Sequence, residues 1–119
     1  MLHLTTIMLS ESHRAQIALF LARWQDVLKK STPIDLKKGQ VLFYQGHTPC
    51  GVFVLTSGVV ALYSEQNGNI EAKGELVRNQ PVGIDLIYQD ESYPFTGVVE
   101  QDVQGFFISK TDLQGLIGQ

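Results

Sequence analysis

Cys50 is the single cysteine of the 119-residue chain, so no internal disulfide can form. One copy of the chain therefore cannot assemble a four-thiolate zinc site or an iron–sulfur cluster, and its compartment reads as reducing. Charge is also sparse: Asp, Glu, Lys and Arg make up 18% of the sequence, against roughly 25% in a typical soluble domain. Positive charge is the scarcer sign, with nine basic residues against twelve acidic ones, whereas nucleic acid rewards clustered positive charge. Direct nucleic acid binding by this chain is not expected. Long apolar runs are missing too. The longest near the start, Ile17 to Ala22, lies between Arg14 and Arg23 and falls far short of the about 20 residues that cross a bilayer. No basic segment precedes it and no small-x-small cleavage pattern follows, so neither a membrane span nor a signal peptide is expected, and the chain reads as cytoplasmic. There is no internal repeat, low-complexity tract or Pro- or Ser-rich linker, and the length suits one domain over 1–119.

Apolar residues supply 44% of the sequence, enough for a core, and their spacing divides the chain into three parts. In 10–31, Ile17, Phe20, Leu21, Trp24 and Leu28 recur at the period of one helical face. Ser10 and Glu11 suit the start of that helix; Lys29, Lys30 and Pro33 suit its end. The N-terminal helical region is thus placed at 1–31. From Ile34 the pattern changes to short β-type runs separated by glycine, at 40–44, 52–56, 59–64, 70–77, 95–99 and 103–108. Ser57-Gly58 and Asn67-Gly68 are read as two hairpin turns. No long helix separates the strands, which disfavours a parallel sheet and leaves a barrel or jelly roll over 32–108. Ser109 and Asp112 have capping-box spacing ahead of Leu113, Leu116 and Ile117, so a short helix is expected to close the domain at 109–117.

The segment Leu36-Lys37-Lys38-Gly39-Gln40-Val41-Leu42-Phe43-Tyr44-Gln45-Gly46 resembles the opening of a cyclic-nucleotide-binding domain of the Crp/Fnr regulator type. Residues 51–63, a hydrophobic strand that reaches Ser57-Gly58 and returns through another, resemble the central hairpin of the same family. The resemblance spans about 34–116. It implies a mainly β fold, a double-stranded β-helix (jelly-roll) β-roll with an N-terminal helix and a short C-terminal helix. It also implies a regulatory sensor module, here without the family's helix-turn-helix. Gly39, Gly46, Gly51 and Gly58 are explained by turns alone, and Lys37 with Lys38 by a solvated turn.

In the family, a Gly-Glu pair starts a short helix whose amides face the cyclic phosphate, the glutamate holds the ribose, and an arginine neutralises the phosphate. Gly83 matches the glycine. Ile84 stands where the glutamate belongs, Asp85 comes one residue late, and no arginine follows Arg78. Tyr93, Pro94 or Phe95 occupies the arginine's neighbourhood. Loss of both charged groups implies loss of cyclic AMP and cyclic GMP binding in the usual mode. The residues expected to line a less charged effector site are Gly83, Ile84, Asp85, Leu86, Tyr88, Tyr93, Phe95 and Thr96, with core packing the rival role for the aromatics and helix capping for Asp85.

Other chemistries find few residues. His3, His13 and His47 are scattered, so no metal is expected; Cys50 and His47 show no arrangement of an activated pair; no phosphate loop or paired catalytic carboxylates appear. The chain is therefore read as a non-enzyme without a cofactor, partnered by a small-molecule effector, a second copy or another protein. The alternative reading is a ligand-free β-roll used as a protein-interaction or oligomerisation scaffold.

Overall fold

The computed structural model describes residues 22–76, 78 and 81–117; most of the expected helix at 10–31 lies outside the described residues. Its described end is α1 (Trp24–Lys30), with Lys29 and Lys30 in the last turn complementing the helix dipole. Ser31 closes it, its Oγ donating to the Leu28 carbonyl at 2.9 Å. The strands follow: β1 (Thr32–Leu36), β2 (Val41–Phe43), β3 (Gly51–Gln66), β4 (Asn69–Leu76) and β5 (Pro81–Val82). A short helix α2 (Ile84–Gln89) precedes β6 (Thr96–Ser109), and α3 (Lys110–Ile117) comes last. No helix among the described residues is long and apolar enough to cross a membrane.

All strand pairs are antiparallel, in the order β1-β6-β3-β4, with β2 also on β6 and β5 on β3. The expected mainly β roll is what forms, with short helices gathered at one side. Pro33, expected to stop the helix, lies beyond its end at Lys30 and falls in β1, an edge strand of the sheet, where proline is tolerated.

Asn67-Gly68 makes the expected hairpin: both residues take positive φ (56° and 81°), which matches the twist of the flanking strands Gln66↔Asn69. Ser57-Gly58 does not. The segments 52–56 and 59–64 form one strand, β3, and 95–99 and 103–108 likewise merge into β6. The two long strands run alongside each other from Gly51↔Ser109 to Tyr63↔Thr96. The register slips at Leu55/Ser57, Ser57/Val59 and Val59/Val60, so Ser57-Gly58 is a bulge that bends the ladder rather than a turn that reverses it. Gly58 needs its glycine twice over: φ is 92°, and a Cβ there would run into the Asp102 carbonyl oxygen and lie 2.7 Å from Val103 Cα. The expected six strands therefore divide differently: two pairs fuse, and β1 and β5 complete the sheet.

The bend folds the sheet around one core, which holds Leu55, Val60, Leu62, Leu76, Leu86, Val99 and Val103 with Phe43 and Tyr93. A second cluster lies under the helices, where Val27 of α1, Ile84 of α2 and Leu113 of α3 meet Val52, Val54 and Ile108. α3 starts as its sequence suggests, the Asp112 N–H donating to Ser109 Oγ at 3.2 Å, and the Lys110 N–H ties it to the Cys50 carbonyl at 2.9 Å.

Candidate ligand site

The residues singled out in 83–96 lie on a short helix, the segment after it and the start of β6. Gly83 precedes α2 with φ 100°, a conformation that favours glycine, and a Cβ on it would stand 3.3 Å from the Gly51 carbonyl oxygen and 3.5 Å from the Tyr93 hydroxyl. The helix is only six residues long. It ends at Asp90 in the left-handed region, with the Glu91 N–H donating to the Leu86 carbonyl at 2.9 Å, the six-to-one bond of a Schellman close.

Successive residues of so short a helix point in different directions. Ile84, 0% exposed, turns to the cluster under the helices; Leu86 turns to the core of the roll. Asp85, also 0% exposed, sits in the first turn. Tyr93 is 5% exposed and stacks on Phe43, ring centroids 4.2 Å apart and planes 13° from parallel. Burial raises its phenol well above the ordinary tyrosine range, with a smaller contribution from negative charge on Cys50. Phe95 packs partly buried against the same core. Thr96 faces elsewhere: its Oγ1 accepts from the Gln45 N–H at 3.0 Å on the outer side of the roll. Tyr88 lies on α2; its side chain is not among those described.

Gly83, Leu86 and Tyr93 thus come together at the inner wall, Ile84 and Thr96 point away from it, and a hollow of about 170 Å³ beside Tyr93 is bounded by Phe43, Thr48, Cys50 and Phe53. His47 stands exposed in the β2–β3 loop, tilted against Tyr44 at 5.3 Å, and among the described residues no three His, Cys, Asp or Glu side chains could hold a metal ion.

A larger groove, about 670 Å³, lies on the opposite face of the sheet, and the sequence reading did not anticipate it. Its floor spans three strands: Tyr63 opposite Thr96, Val98 on β6, and Ile70 opposite Glu65. Leu62 and Val99 belong to the core, so their neighbours Tyr63 and Val98 face outward by strand alternation. The loop 44–47 forms one wall. The Asn67-Gly68 turn was the usable signal, because it fixes the β3–β4 register and hence the pairing of Glu65 with Ile70; the contribution of β6 could not be read locally.

A curled antiparallel sheet with a glycine-started short helix packed on its inner wall is the architecture of a cyclic-nucleotide-binding β-roll. The chain belongs to the cyclic nucleotide-binding domain family, whose sequence profile matches residues 33–119. No curated protein sequence matches it. Among solved structures it is similar to the N-terminal domain of a transcriptional regulator from Streptomyces coelicolor A3(2), with 20% identity and a TM-score of 0.72, covering 89% of this chain and 78% of that one. It is similar also to the sensor domain of the transcriptional regulator DNR from Pseudomonas aeruginosa, with 20% identity and a TM-score of 0.71, covering 92% and 81%. The cGMP-bound EAL enzyme Bd1971 superposes with 15% identity and a TM-score of 0.63 over 71% of this chain, which spans 23% of that enzyme's length. At these identities the likeness is one of fold.

Proposed function

We propose that this domain is a regulatory sensor of the Crp/Fnr type that does not hold cyclic AMP or cyclic GMP through the glutamate and arginine of its family. The observation that carries this is the environment of Ile84. It replaces the glutamate and is completely buried among Val27, Val52, Val54, Ile108 and Leu113. No arginine follows Arg78 in the sequence, and Lys110, the one later cation, begins α3. A cyclic phosphate taken out of water needs a matched positive partner, and a neutral lining does not supply one.

The effector we assign is a neutral or apolar small molecule that meets the inner wall at Gly83, Asp85, Leu86, Tyr93 and Phe95, with Ile84 supporting the helix from behind and Thr96 left on the outer face. The domain acts in the cytoplasm as a regulator rather than as an enzyme, passing its state to a second copy or a protein partner. The burial of the core favours a second reading, a ligand-free interaction scaffold: Leu55, Val60 and Leu62 are sealed from solvent.

Isothermal titration with cyclic AMP and cyclic GMP tests the first claim; heat corresponding to micromolar or tighter binding of either overturns it. A metabolite melting screen run beside light scattering separates the two readings. A ligand-stabilised monomer supports sensing, and a ligand-indifferent oligomer supports scaffolding.

A further inference from the structure

The outer groove has a composition opposite to that of a phosphate site. Among the described residues, Glu65 supplies the single carboxylate of its lining, no lysine or arginine lines it, and Tyr44, Tyr63 and His47 contribute aromatic rings. Two of its apolar members are open to water, Tyr44 at 53% and Ile70 at 71% exposed, while Tyr63 and Val98 are half-buried. An aromatic face carries negative electrostatic potential, and a carboxylate nearby adds to it, so the groove favours a cation that also carries apolar surface.

The wall is built before any ligand arrives. The Gln45 side chain spans to β3 by two bonds, its Oε1 accepting from the Glu65 N–H at 2.8 Å and its Nε2 donating to the Glu65 carbonyl at 3.2 Å. The Gly46 N–H donates to the Tyr93 carbonyl at 2.8 Å, and the Tyr93 N–H returns a bond to the His47 carbonyl at 2.9 Å. The loop bearing Tyr44 and His47 is thereby fixed to the floor bearing Tyr63, Glu65 and Ile70, which lowers the ordering cost of binding.

We propose that this outer groove binds a small organic ammonium ion, with Tyr44 and Tyr63 facing the cationic head, Glu65 balancing its charge, and Ile70 with Val98 covering its aliphatic body. The groove lies on the opposite face of the sheet from the inner wall at Gly83 and Leu86, and Tyr44 and His47 border both the groove and the hollow beside Tyr93.

The test is an NMR amide titration of the full chain with choline and, separately, with 3,3-dimethylbutan-1-ol, which has the same shape but a carbon in place of the charged nitrogen. Choline is expected to shift the amides of 44–47, 63–65 and 70, and to bind at least tenfold more tightly than the neutral alcohol. Tyr63→Leu is expected to weaken choline by roughly 2- to 30-fold, the range of one cation–aromatic contact, and Tyr63→Phe to retain it. Glu65→Gln, on an exposed side chain, is expected to weaken choline several-fold without changing the melting temperature. Equal affinity for choline and the alcohol, shifts confined to other residues, no shifts at millimolar choline, or the same shifts produced by cyclic AMP would each overturn the proposal.

Discussion

Replacing Gly58 by alanine tests the way β3 bends along β6. The methyl group is forced into a backbone conformation with φ 92° and directed at the Asp102 carbonyl oxygen, with Val103 Cα 2.7 Å away. Left-handed backbone in a residue with a Cβ costs about 1–2 kcal/mol, and overpacking against backbone that cannot rotate aside adds about 1–3 kcal/mol. The sum is about 2–5 kcal/mol, a large part of the roughly 5–15 kcal/mol that holds a domain of this size together. At a urea slope of about 2 kcal/mol per M, the unfolding midpoint falls by about 1–2.5 M. Gly68→Ala is the control, since its φ is 81° but its added Cβ meets nothing within 4 Å. It isolates the backbone contribution, with a fall of about 0.5–1 M. Circular dichroism during urea titration of the two variants gives the comparison. Equal midpoints for both would refute the close β3–β6 crossing at Gly58.

Two further outcomes follow from the buried groups around α2. The folded Tyr93 phenol keeps its proton to higher pH than the unfolded one, which ionises near 10.0, so its contribution to stability is complete below that pH and is lost as pH rises beyond it. Tyr93→Phe keeps the stack on Phe43 and removes the ionisation; its urea midpoint should decline less steeply than wild type above pH 10, and parallel declines would contradict the burial of the hydroxyl. Ile84→Glu, which restores the family's residue type, should destabilise rather than restore nucleotide binding. A carboxylate would enter an aliphatic cluster at a cost of several kcal/mol, visible as a large drop in melting temperature, and an unchanged melting temperature would show that position 84 faces the ligand wall instead.

Local chemistry made parts of this architecture legible in the sequence. Asn67-Gly68 tolerates positive φ at both positions and lies between alternating strands, so its hairpin needed no distant information. The Ser109 cap is equally local. Ser57-Gly58 looked the same in one dimension, but its role was decided by β6, some 45 residues later, whose Gln104 and Gln101 pair across the bulge with Ser57 and Val59. The same limit applies to the ligand wall. Gly83 was identifiable because it matches the glycine of the family's Gly-Glu pair, and its left-handed φ gives that glycine a physical reason, whereas the opposite headings of Ile84 and Leu86 depend on which cluster each turn of α2 meets. The outer groove joins loop 44–47 to three strands, and no window of sequence contains them all.

The placement of β6 carries a consequence for synthesis. It alone bridges β1, β2 and β3, yet it is the last of the described strands to leave the ribosome. A nascent chain that has reached Phe95 can close the β3–β4 hairpin, but β1 and β2 still await the strand they pair with. Their unsatisfied edges and apolar side chains are then open to chaperones, or to other unfinished copies on the same message.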